Sequence, residues 1–165
     1  LIDYKLSKES TIENVHTKEV STEFGEFRLD VWRDVIFDEH HFSLTKGSPE
    51  KADVPMVRVQ TQSVLQDTLG IDEIGKKWSI RKSLQKISEE GTGVFVLINH
   101  RDAKTYWLSS LKDENIEPKR NRRVIGIGSQ ILRSLGLNRI NVLGTPTKYS
   151  GLSGFNIEIE GFIDE

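Results

Sequence analysis

Two periods of hydrophobicity share the chain, and their order predicts its elements. Residues 22–32 alternate apolar and polar positions around Gly25, which predicts a hairpin or bent strand with one buried face. Residues 41–47 repeat the period of two and stop at Gly47. Residues 48–55 carry a proline near each end and read as a loop, and 56–62 read as another strand. Helical spacing then takes over at Trp78, with Ile80, Leu84 and Ile87 on one face and Gly91 as the C-terminal stop. Residues 94–98 form a continuous apolar, largely β-branched run, the mark of a strand covered on both faces. A short helix is expected over 105–111. A longer one over 124–136 is marked by Ile127, Ile131, Leu132 and Leu135 and closed by Gly136. Residues 139–143 read as a buried strand, 145–154 as a loop and 155–162 as a final alternating strand. Strands first, then strand–helix–strand–helix–strand, predict an α/β (α+β) fold with a mixed β-sheet and flanking helices.

Residues 1–20 are polar beyond the amphipathic start at 1–6 and read as a linker with some helical tendency. The first residue is Leu1, and the opening looks cut from something longer. The expected organisation is a linker from an upstream domain over 1–20 and one domain over 21–165. A length of 165 residues suits a single core.

Composition narrows the function classes. With 36% hydrophobic and 29% charged residues the chain is globular, and its longest apolar runs are far too short to span a bilayer. There is no cysteine, so disulfides are excluded and a cytoplasmic setting is expected. A net charge of −2 gives no general pull toward nucleic acid or an anionic membrane, and neither partner is expected.

Four local features carry candidate chemistry. Asp38-Glu39-His40-His41 puts two imidazoles beside two carboxylates, as a metal site would. Neighbours on a strand point to opposite faces, so His40 and His41 do not readily share an ion, and a polar turn entering a strand is the favoured reading. Lys119-Arg120-Asn121-Arg122-Arg123 could bind phosphate, but it lacks interleaved aromatic residues for base stacking and reads better as a solvated loop. Gly144-Thr145-Pro146-Thr147-Lys148 follows a buried strand, where ligands of open α/β sheets sit, although it is not a Walker loop. Gly126 and Gly128 open a helix, and close packing on a sheet explains them as well as a ligand does.

In this order, the segments 22–31, 41–47, 56–59, 88–94, 126–136 and 139–148 resemble the GTP cyclohydrolase II family of riboflavin biosynthesis, from about residue 20 to the C-terminus. The resemblance implies a GTP cyclohydrolase II-like fold. It also implies an origin beside 3,4-dihydroxy-2-butanone 4-phosphate synthase, a lyase, because residues 1–4 resemble the joint in proteins that fuse the two domains. The departures fall on the chemistry. The family's three zinc cysteines fall at Ser63, Ile74 and Lys76, its neighbouring histidine at Gln60 and a glutamate at Gln62. Serine is a poor zinc ligand, isoleucine is none, and lysine brings a positive charge. The triphosphate-handling segment falls near residues 99–104 without its glutamate and glycines, and the segment with the family's catalytic tyrosine is mostly deleted. An aspartate of the phosphate side becomes Asn121, while its arginine survives as Arg123 and a lysine as Lys148.

The resemblance therefore implies a catalytically degenerate accessory domain with no catalytic residue, no metal and no cofactor. Its expected partners are the upstream synthase domain and a second copy in a homodimer. Arg58, Arg123, Thr145 and Lys148 remain as a vestigial phosphate site. That leaves two alternatives: a module sensing a phosphate or nucleotide, and a residual hydrolase.

Overall fold

The computed structural model describes residues 11–71, 78–99, 111, 118–144 and 156–164. Its elements are β1 (Ile12–Thr22), β2 (Gly25–Asp34), β3 (Glu39–Lys46), β4 (Met56–Thr61), α1 (Ile80–Glu90), β5 (Gly93–Ile98), α2 (Pro118–Ser134), β6 (Arg139–Leu143) and β7 (Glu158–Ile163). A 3₁₀ turn (Pro49–Lys51) and a π turn (Val64–Thr68) punctuate the connections around β4.

The strands form one seven-stranded sheet in the order β1-β2-β3-β5-β4-β6-β7. β1, β2, β3 and β5 pair antiparallel, whereas β5, β4, β6 and β7 run parallel. The fold is the mixed α/β arrangement that the order of periodicities predicts. β5 sits at the centre, which is why its run from Val94 to Val96 and Ile98 is buried on both faces.

The two helices cover opposite faces. α2 sets Ile127, Ile131 and Leu132 against Val57, Val94, Val96, Ile98 and Trp32. α1 sets Leu84 and Ile87 against Phe27, Met56, Phe95 and Leu143. Each fully buried aliphatic side chain contributes roughly 1.5–3 kcal/mol of transfer free energy. α1 begins at Ser79, whose hydroxyl accepts the Lys82 N–H, and ends at Gly91 with φ of 84°, the stop expected there. Gly128 lets α2 approach the sheet, since a Cβ there would lie 3.0 Å from Val59 Cγ1. Packing thus accounts for that glycine.

Two expectations change and one is narrowed to the first of its two forms. Residues 12–20, expected as connecting chain with helical tendency, form most of β1, an edge strand whose middle is exposed on both sides. A strand that buries neither face shows no period of two. The segment 22–32 resolves into a hairpin, with Glu23 and Phe24 as the turn between β1 and β2. The helix expected from 124 begins at Pro118, so the basic run 119–123 is helical backbone rather than a loop. Proline suits the first turn of a helix because its missing N–H has no partner to lose. The short helix expected over 105–111 and the loop over 145–154 lie outside the described residues, apart from Leu111.

Candidate functional site at the carboxyl ends of β4 and β5

Parallel strands whose connections leave to opposite faces open a crevice beyond their carboxyl ends. β4 leads into α1 on one face and β5 into α2 on the other, so the crevice lies where these two neighbours end. The Gln62 N–H donates to the Ile98 carbonyl across it at 3.0 Å.

On the α1 face, Arg58 is 3% exposed and fully engaged. Its Nη1 donates to the Leu143 carbonyl at 2.9 Å, its Nη2 to the Trp78 carbonyl at 3.1 Å, and its Nε to Gln60 Oε1 at 3.0 Å. The guanidinium therefore ties β4 to the end of β6 and to the chain entering α1. Gln60 is itself buried, held by Arg58 through its oxygen. Ser63 follows β4 and caps the π turn. Its hydroxyl accepts the Gln66 N–H at 3.4 Å, and its own N–H donates to Asp67 Oδ2 at 2.8 Å. Of the three positions expected to match the family's zinc ligands, Ser63 alone is described, and Ile74 and Lys76 lie outside the described residues. The residues do not fit zinc, because a capping hydroxyl, an alkyl chain and an ammonium offer no thiolate.

On the α2 face, β3 begins where β5 ends. Phe42 pairs with Leu97, so His41 lies beside the exit from β5, and the Asn99 N–H donates to His41 Nδ1 at 3.0 Å. His41, Glu39 and Asp34 are all buried, with ligating atoms within 4.8 Å of one another. The sequence singles out 38–41, but the pleat divides that tetrad. Glu39 and His41 face inward, while His40 and Asp38 face out. Asp34 joins them because it pairs with Glu39 across β2 and β3. Sequence reasoning missed it, although its place in the inward series Asp30, Trp32, Asp34 was the available signal.

This trio suits charge compensation better than a metal. Arg123 pairs with Glu39 and stacks on the Phe37 ring, 3.7 Å from its centroid. Asp34 Oδ1 accepts the Ile36 and Phe37 N–H groups at 2.9 and 3.3 Å. His41 Nδ1 must hold a lone pair to accept from Asn99, which leaves the ring's single proton on Nε2. A metal-bound imidazole needs the reverse, a lone pair toward the metal and an N–H toward an acceptor.

Of the four residues expected to form an anion pocket, the two described ones lie on opposite faces of the sheet. Arg58 lies on the α1 face and Arg123 on the α2 face, each held by internal partners. Thr145 and Lys148 lie outside the described residues.

Comparison with known proteins converges on one family. The sequence model described as GTP cyclohydrolase II matches residues 13–164. A 3,4-dihydroxy-2-butanone 4-phosphate synthase of Pseudomonas aeruginosa is 30% identical over 169 residues, covering 99% of this chain and 46% of that protein. The protein of that name in Pseudomonas syringae pv. tomato is 32% identical, covering 96% of this chain and 45% of its own length. The riboflavin biosynthesis protein RibBA of Cytophaga hutchinsonii is 30% identical, covering 96% and 43%. Among solved structures, RibBX, a two-domain 3,4-dihydroxy-2-butanone 4-phosphate synthase from A. baumannii, superposes with a TM-score of 0.67 at 27% identity, covering 99% of this chain and 44% of that one. The chain thus spans less than half the length of these relatives.

Proposed function

The chain belongs to the GTP cyclohydrolase II family, and from that premise we propose that it is a catalytically degenerate accessory domain. Its place is at the C-terminal end of a 3,4-dihydroxy-2-butanone 4-phosphate synthase, where it serves dimerisation, stability or regulation of the lyase. One observation carries the reading: at the family's zinc positions stand Ser63, Ile74 and Lys76, and the Ser63 hydroxyl is used to cap a turn. Without thiolates those positions would hold no zinc to lower the pKa of an attacking water, and among the described residues no other group is placed to take over that step.

An anion-sensing role draws less support. The guanidinium of Arg58 is spent on two carbonyls and an amide oxygen, and that of Arg123 on Glu39. All three donating nitrogens of Arg58 are thereby committed within the fold.

The purified full-length protein is expected to carry no stoichiometric zinc and to release no formate from GTP. Metal analysis by mass spectrometry and a formate assay check this. One zinc per chain, or formate produced with turnover, overturns the reading.

A further inference from the structure

On the reading of the chain as the C-terminal part of a synthase, on which this rests, we propose that the turn between β2 and β3, residues 35–38, is where the domain seats the synthase domain ahead of it.

The turn is built unlike an ordinary surface turn. Turns favour Gly, Pro, Asn, Asp and Ser, each for a conformational or hydrogen-bonding reason. Here Val35, Ile36 and Phe37 follow one another with 46%, 50% and 46% of their surface exposed. A run of three exposed apolar residues is avoided on a surface that meets only water. Nor is the turn loose. Asp34 Oδ1 accepts the Ile36 and Phe37 N–H groups, Arg33 Nε donates to Asp38 Oδ1 at 2.9 Å, and the Arg123 guanidinium lies over the Phe37 ring. These polar contacts hold the backbone, and the apolar side chains are displayed on a rigid frame. A contact made by a preorganised turn loses little conformational entropy.

The path of the chain identifies the occupant. The Val35 N–H donates to the Thr11 carbonyl at 2.9 Å, and Ile12 pairs with Asp34. Thr11 is held by α2 as well, since its N–H and its hydroxyl donate to Gln130 Oε1 at 2.6 and 3.1 Å. Polypeptide that precedes β1 therefore arrives beside the apolar turn, at a point pinned by both neighbours. A domain attached there meets the turn at a high effective concentration. The synthases of Pseudomonas aeruginosa and Pseudomonas syringae pv. tomato and the two-domain RibBX each keep more than half of their length outside the part this chain matches. Arg123 brings the start of α2 alongside the turn, and that start also carries Lys119, Arg120 and Arg122. The complementary face is accordingly apolar with an acidic rim.

The full-length protein with p-benzoylphenylalanine in place of Ile36 tests this. Irradiation is expected to join that position to the synthase domain of the same chain, mapped by mass spectrometry. The same crosslinker in place of Glu90, exposed at the end of α1, is expected to join nothing in that domain. Adding Val35→Asp is expected to cut the yield from position 36 by about tenfold or more, because a carboxylate would have to be desolvated in an apolar contact. Val35 is half exposed, so the melting temperature is expected to stay within about 2 °C of the parent. Should that variant melt earlier, the crosslink map of the parent decides alone. A crosslink to a second chain overturns the proposal, as does transfer to lipid in the presence of phosphatidylserine vesicles or an equal yield from position 90. A full-length chain that carries the synthase domain but gives no crosslink from position 36 ends the docking alone. A full-length chain with no synthase domain ahead of β1 ends both the docking and the reading on which it rests.

Discussion

Arg58→Met is expected to destabilise the domain by about 3–5 kcal/mol, read as a lowered urea midpoint with an unchanged slope. The guanidinium is buried and donates to the carbonyls of Leu143 and Trp78 and to Gln60 Oε1. Methionine matches the stem and supplies no donor. Each buried acceptor deprived of its donor costs about 1–3 kcal/mol, and three are affected at once. Arg58→Lys is expected to recover only a minor part, because one ammonium cannot span three acceptors that lie in different directions around a planar fork. The same variants separate two roles for this residue. An arginine kept for a phosphate would leave stability nearly unchanged when replaced, and a loss below about 1 kcal/mol would count against the structural role.

Gly93→Ala is expected to cost about 3 kcal/mol and to lower the melting temperature by roughly 6–12 °C. Gly93 opens β5 with φ of 154°. A Cβ there would lie 2.8 Å from the Met56 carbonyl oxygen and 3.1 Å from Ile87 Cγ2. One neighbour is backbone of the adjacent parallel strand and the other is the fully buried anchor of α1, so neither can step aside cheaply. Thermal unfolding followed by circular dichroism measures the effect. A shift under about 2 °C would mean that β4 and α1 part more easily than their packing implies.

The parts of this fold that stand on burial were readable in the sequence. α1 shows its face through Ile80, Leu84 and Ile87 and its end through Gly91, and β5 declares itself central by lacking any polar position between Val94 and Ile98. β1 was not readable, because an edge strand exposed from Glu13 to Glu19 leaves only backbone pairing to define it, and pairing has no period in sequence. The first turn of α2 hid behind a proline and a run of cations. The candidate site divides along the same line. That Glu39 and His41 share a face while His40 does not follows from the pleat, and the sequence suffices for it. That Asp34 and Arg123 join them depends on strand register and helix docking, which no local pattern encodes. The residue types at the expected zinc positions, Ser63, Ile74 and Lys76, are legible in the sequence alone, whereas the internal use of Arg58 appears only once β6 and Trp78 are placed around it.

β1 and β7 lie at opposite edges of one seven-stranded sheet. Six interstrand steps of about 4.8 Å set those edges roughly 29 Å apart. Polypeptide joined ahead of β1 and polypeptide joined after β7 would leave from opposite rims. The two outer strands are thus held apart by the breadth of the sheet, a distance set by the count of its strands.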